Sequence, residues 1–183
     1  MDYKSKIFVA GHNGLIGSSI VNKLYTKGYN NLVLKDSTEL DLTVREDVRL
    51  FFNSEKIDYV IMAAAKNGGS QKVRDFPGDI FYYNSLMQIN VIHEAAKSRV
   101  KKVVFLSSSS IYPNNVKNLS EDNFLESNSL PNDNFAYSFT KLSGMKMLEF
   151  YKNQYGLDYL TLILSNVYGP NDNFEDGRAL VIP

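Results

Sequence analysis

The chain contains no cysteine. Disulfide frameworks, thiolate zinc sites and a cysteine nucleophile are thereby excluded, and the redox compartment is left unmarked. Net charge is missing too: 20 basic residues balance 20 acidic ones. No broad field is therefore available to hold nucleic acid or an anionic membrane, and an anionic ligand has to be captured locally. Long apolar runs are also absent. No stretch reaches the roughly 18 residues that a membrane span needs, and the polar residues 1–6 do not have the layout of a secretory signal. The expectation is a soluble, cytoplasmic protein with no membrane or nucleic-acid partner and no metal site. What is present, 183 residues with 44% apolar content, suffices for one domain with a buried core and not for two.

The apolar pattern alternates between short runs and helical periods. Ile7-Phe8-Val9-Ala10 reads as a buried strand; it enters a glycine-rich turn and then a helix with Ile16, Ile20, Val21 and Leu24 on one face. Gly28 marks that helix's end, and Leu32-Val33-Leu34 supplies a second strand. Thr43 and Glu46 have capping-box spacing ahead of a helix that turns Val44, Val48, Phe51 and Phe52 inward. A third strand covers residues 59–63, a long helix opens at Pro77-Gly78 and runs to about Ser98, and a fourth strand covers residues 103–106. Residues 113–134, rich in Asn, Ser and Pro, read as an irregular excursion. A second long helix follows at 135–155 and a fifth strand at 159–164. Strands alternating with helices predict an α/β fold: a doubly wound, Rossmann-type parallel sheet with helices on both faces. Ligands of such sheets lie beyond the carboxyl ends of the strands, where Gly11, residues 63–66, the serine run 107–110 and Asn166 all fall.

Two patterns carry chemistry. Gly11-x-x-Gly14-x-x-Gly17 stands between first strand and first helix, where residues without Cβ let a backbone approach a pyrophosphate and the helix N–H groups bind it. The bland alternative is a tight turn and nothing more. Tyr137 and Lys141 are spaced i, i+4, so on a helix their side chains lie about 5–6 Å apart. The cation is expected to lower the phenol's pKa and suit it to proton transfer. The bland alternative is a surface pair, with Ser108 and Ser109 as a polar turn. The end of the second strand selects the cofactor form, because an acidic residue binds the ribose hydroxyls of NAD and a basic one the 2′-phosphate of NADP. Lys35 and Asp36 are adjacent there and argue in opposite directions. Asp41, just beyond, faces either the adenine or solvent.

These strings, with Ala63-Ala64-Ala65-Lys66-Asn67-Gly68-Gly69, Ser108-Ser109-Ser110-Ile111-Tyr112-Pro113 and Asn166-Val167-Tyr168-Gly169-Pro170-Asn171-Asp172-Asn173-Phe174, resemble the extended short-chain dehydrogenase/reductases. Within them they are similar to the GDP-L-fucose synthase branch. The resemblance implies a GDP-4-keto-6-deoxy-hexose substrate that is epimerised at C3 and C5 and reduced at C4 by NADPH. It further implies that Ser108 holds the C4 carbonyl oxygen, Tyr137 protonates it, and Lys141 binds the nicotinamide ribose and tunes the tyrosine. Gly11, Gly14 and Gly17 would cradle the cofactor pyrophosphate, and Lys35, Asp36 and Ala63 would contact the cofactor. Asn166 would lie beside nicotinamide and sugar, with Ser110 at the substrate. Pairing of the two long helices across a two-fold axis implies a homodimer.

Several positions depart from the branch. Its cysteine and histidine, the proton-transfer pair for epimerisation, are matched by Ser110 and Leu180, so C4 reduction is expected and 3,5-epimerisation is doubtful. The two arginines offered to the NADP phosphate are matched by Asn13 and Ser37, which leaves Lys35 to replace them and leaves NAD open. Residues 1–183 correspond to the dinucleotide-binding domain with the catalytic groups, and the branch continues beyond this length into a substrate lobe. Two competitors are weighed. A 4,6-dehydratase would place an Asp-Glu pair where Ser109 and Ser110 stand, and a non-catalytic nucleotide-binding remnant would not need Ser108, Tyr137 and Lys141.

Overall fold

The computed structural model describes residues 1–66, 73–113, 120–121, 135–170 and 172. In chain order the elements are β1 (Ile7–Ala10), α1 (Leu15–Thr26), β2 (Leu32–Val33), α2 (Arg45–Glu55), β3 (Tyr59–Met62), α3 (Pro77–Lys97), β4 (Lys102–Ser108), a 3-10 turn (Ser109–Ile111), α4 (Phe135–Tyr155) and β5 (Tyr159–Leu164). The five strands form one sheet in the order β2-β1-β3-β4-β5, and every pairing is parallel. The doubly wound sheet expected from the alternation is therefore observed.

Side chains alternate across a strand, and the core divides accordingly. Phe8, Ala10, Val60, Met62, Val103 and Phe105 pack with Val48, Phe51 and Phe52 of α2, Val91, Ile92 and Ala95 of α3, and Met145 and Leu148 of α4. On the opposite face Ile7 and Val9 meet Val21 of α1, with Leu24 alongside. The larger cluster is knit by aromatic contacts: the Phe8 ring lies 4.7 Å from Phe51 and 6.3 Å from Phe52, centroid to centroid. Truncating one such ring to alanine costs about 3–5 kcal/mol.

Several local expectations are corrected. The Thr43/Glu46 capping box does not form. Helix α2 begins at Arg45 with Val44 as its N-cap and no side-chain cap. Thr43 Oγ1 donates instead to Asp41 Oδ1 at 2.7 Å, and Glu46 pairs with Arg49. Asp41 closes this local turn while remaining exposed to solvent, and Val44, expected to face inward, is exposed. β4 runs to Ser108, two residues beyond the expected end, so the first two serines of the run belong to the strand. Most of the expected excursion at 113–134, with Leu180 and residues 67–69, 171 and 173–174 of the quoted strings, lies outside the described residues.

The register explains where a ligand would lie. Ala10 of β1 pairs with Met62 of β3, and Met62 pairs with Phe105 of β4. β4 then continues three residues to Ser108, paired with Leu164 of β5. At about 3.3 Å per residue this lifts Ser108 about 10 Å along the strand axis beyond the level of the β1 turn. The rim is a step, low at the glycine turn and high at the serine.

Candidate active site

The low side of the step is built by backbone. Gly11 has φ 81, in the left-handed region that a residue with a Cβ rarely adopts. A Cβ there would lie 2.6 Å from the backbone of Ala64, so the turn after β1 is pressed against the end of β3. Ala63 closes this contact by donating its N–H to Ala10 O at 2.9 Å. A Cβ on Gly17 would run into the Gly11 carbonyl, whereas one on Gly14 would meet nothing closer than that oxygen at 3.5 Å. Two of the three glycines are thus demanded by the chain's own packing, and Gly14 alone is left to a ligand's requirements. Gly14 caps α1 without any side-chain hydrogen bond, and the first turn carries no acidic residue. The N–H groups that open the helix therefore face the crevice with the positive end of its dipole, the donor set that fits a diphosphate.

The high side carries the side chains. Helix α4 packs against β4 and the 3-10 turn, and Lys141 is driven inward to 3% exposure. Its Nζ donates to the carbonyl of Leu106 in β4 at 2.8 Å. That acceptor is main chain, so no residue-type signal could have indicated it. The ammonium lies 5.5 Å from the ring centre of Tyr137, which places the expected i, i+4 pair on one face of the helix. The Ser108 hydroxyl oxygen accepts from Ser110 N–H at 3.2 Å, which leaves its proton to donate. Ser110 Oγ is buried with no hydrogen-bond partner among the described residues. Asn166 stands exposed two residues past β5.

The electrostatics depart from the sequence expectation. Burial pushes the Tyr137 phenol up to about 12, with no counteracting charge, and pushes the Lys141 ammonium down to about 8. The lysine was expected to lower the tyrosine. Desolvation prevails, because both groups are buried and the ammonium is tied to a backbone carbonyl.

At the end of β2, Lys35 Nζ pairs with Glu39 at 2.8 Å. Asp36 Oδ1 accepts from Thr38 N at 2.8 Å, Thr38 Oγ1 at 2.7 Å and Glu39 N at 3.2 Å. These bonds hold the Asp36 carboxyl below its ordinary value, and Glu39 raises Lys35. Both candidate selectors are thus engaged by their own loop. A 2′-phosphate would have to compete with Glu39 for the lysine.

One contact was not foreseen from sequence. Asn84, fully buried in α3, accepts from Lys66 N at 2.8 Å and donates to Lys66 O at 2.9 Å. It thereby fixes the chain just after β3, with Lys66 Nζ 3.6 Å above the Tyr83 ring. Among the described residues no cluster of His, Asp and Glu suitable for a metal occurs, and no helix is long and apolar enough to cross a membrane.

Known proteins share this fold and much of this sequence. GDP-L-fucose synthase 1 of Arabidopsis thaliana is 46% identical over 182 residues, an alignment covering 100% of this chain and 56% of the relative. Two solved Campylobacter jejuni structures superpose closely. A GDP-D-glycero-L-gluco-heptose synthase determined in the presence of NADPH gives a TM-score of 0.93 at 40% identity, covering 99% of this chain and 53% of its own. A GDP-mannoheptose C4 reductase with NADP bound gives 0.90 at 40% identity, covering 94% and 55%. The chain thus spans about half the length of the relatives it matches. Residues 7–183 match the profile of the NAD dependent epimerase/dehydratase family, and the chain belongs to that family.

Proposed function

We propose that this chain is the cofactor-binding and catalytic part of a GDP-sugar oxidoreductase that uses NADPH to reduce the C4 ketone of a GDP-4-keto-6-deoxy-hexose. The observation that carries the reading is the seating of Lys141 on the Leu106 carbonyl, which holds the Tyr137 helix against the strand that ends at Ser108. The relatives solved with NADP bound and in the presence of NADPH support the cofactor.

Gly11, Gly14 and Gly17 with the start of α1 would hold the cofactor's diphosphate, Ala63 its flank, and Lys35 its 2′-phosphate. When bound, a reduced nicotinamide supplies the hydride for C4. Ser108 donates its hydroxyl proton in a hydrogen bond to the C4 oxygen and orients the ketone. Tyr137 transfers its own proton to that oxygen as the alkoxide forms. Such a donor has to start protonated, and a phenol raised by burial does. Lys141, largely charged at neutral pH with a pKa of about 8, stabilises the phenolate left behind.

Reduction without epimerisation is the form of the reading that this chain supports best. Ser110 occupies the place of the branch's epimerisation thiol, and its buried hydroxyl has no hydrogen-bond partner among the described residues. A serine hydroxyl without an activating group does not abstract a carbon-bound proton. A GDP-mannoheptose C4 reductase is 40% identical to this chain over an alignment that covers 55% of that relative.

The test is incubation with GDP-4-keto-6-deoxy-mannose and NADPH in deuterated water. NADPH consumption without deuterium at C3 or C5 is expected, and Tyr137→Phe is expected to slow it by about 10²–10⁴-fold while leaving NADPH binding intact. Deuterium at those carbons would restore epimerisation, and failure to bind NADPH in a fluorescence titration would remove the enzyme reading.

A further inference from the structure

The Lys141 ammonium has an unusual set of neighbours. It is buried, no ion pair among the described residues reaches it, and one carbonyl accepts from it at 2.8 Å. Besides Tyr137, a second aromatic face lies beneath it: Nζ is 5.1 Å from the ring centre of Phe105, within the range of an attractive cation–π contact. Phe105 is fully buried in β4, the residue before the one whose carbonyl accepts from Lys141.

The ring is also fixed at its tip. A Cβ on Gly144, three residues after Lys141 on α4, would lie 2.7 Å from Phe105 Cζ and 2.5 Å from Gln88 Oε1. The tip of the ring therefore sits in a notch that the bare Cα of Gly144 provides, with the buried amide of Gln88 from α3 closing the gap. Phe105 cannot swing away from the ammonium without leaving this notch. The burial that desolvates the lysine is supplied by the same contact that returns part of the lost stabilisation through the ring's negative face.

We propose that Phe105 is a positioning residue for Lys141, its ring face keeping the buried ammonium charged and in line with Tyr137. Burial is what holds the lysine below its ordinary value, and the ion pairs made by β4 and α4 among the described residues, Lys102–Asp158 and Lys146–Glu149, do not include it. The consequence for turnover rests on the proposed function, in which Lys141 acts as a cation. The contact itself does not.

The experiment reads Lys141 directly in the cofactor-free chain. Lysine labelled with ¹³C at Cε is titrated by NMR, and the Lys141 signal is assigned by its loss in Lys141→Met. Phe105→Leu, which keeps apolar bulk and removes the π face, is expected to lower the midpoint by about one pH unit. Phenylalanine carrying one and then two ring fluorines at position 105 keeps the shape and drains the face, and is expected to give a graded fall. A midpoint unchanged across the fluorinated series would overturn the proposal, whether or not Phe105→Leu folds. Because the readout needs neither cofactor nor sugar, its failure is distinguishable from a failure of the proposed activity.

Discussion

Lys141 is the residue at which the fold's energetics and its chemistry meet. Holding a cation at 3% exposure costs stability, and the sign of its pH dependence follows. The folded-state pKa of about 8 lies below the ordinary value of 10.5, so between these values the unfolded chain binds more protons and stability rises with pH. From pH 7 to pH 9.5 this one group contributes a gain of about 2 kcal/mol. Urea unfolding at the two pH values should show that gain in the parent chain and its loss in Lys141→Met. The window stops short of the tyrosine: Tyr137, raised from 10 to about 12, gives the opposite trend only above pH 10. The pair's positions were legible from a four-residue spacing. Its ionisation was not, because desolvation depends on β4 and α3, which are remote in sequence.

At the scale of elements, the glycine turn separates two demands that the motif confounds. Gly11 and Gly17 are required by contact with Ala64 and with the turn itself, whereas Gly14 has space. Gly11→Ala is therefore expected to lower the melting temperature by several degrees, since it adds both a steric clash and a left-handed backbone strain. Gly14→Ala, at φ −76, is expected to melt as the parent does yet bind NADPH at least about tenfold more weakly, because a methyl group intrudes where the diphosphate would approach. Calorimetry and fluorescence titration of the two variants test this division. Equal losses of binding and stability in both would contradict it. The pattern predicted that glycines stand here; only the packing of β1 against β3 shows which of them serve the fold. The failed capping box has the same origin. Thr43 had the spacing for it, but Asp41 lies two residues away and takes the hydroxyl, a local competition that the helix-start pattern does not weigh.

For the whole molecule, the two long helices present a face that their own core does not use. Ile80, Val91, Met145 and Leu148, apolar residues at helical spacing on these two helices, are buried within the chain. Exposed beside them is a ladder of Phe81, Phe139 and Phe135, with centroids 6.0 Å and 5.8 Å apart, joined by exposed Ile89 and Phe150. We propose that this face pairs with a second copy of the chain, as resemblance to the branch implies. Sedimentation velocity is expected to give a dimer for the parent chain and a monomer for a Phe81→Glu, Phe139→Glu double variant, with far-UV circular dichroism unchanged. A parent chain that sediments as a monomer would refute the assignment.

The alternation of short apolar runs with helical periods determined the parallel sheet and its five strands, and a four-residue spacing picked out Tyr137 and Lys141 as candidates, because periodicity and i, i+4 spacing are properties of the chain itself. Tertiary structure decided what those candidates experience. The three-residue extension of β4 beyond β3 raises Ser108 above the glycine turn, the Leu106 carbonyl and the Phe105 ring hold Lys141, and Glu39 occupies the lysine at the β2 end. Each of these is a contact between segments whose separation along the chain carries no local signal, or a competition among neighbours that only the folded geometry resolves.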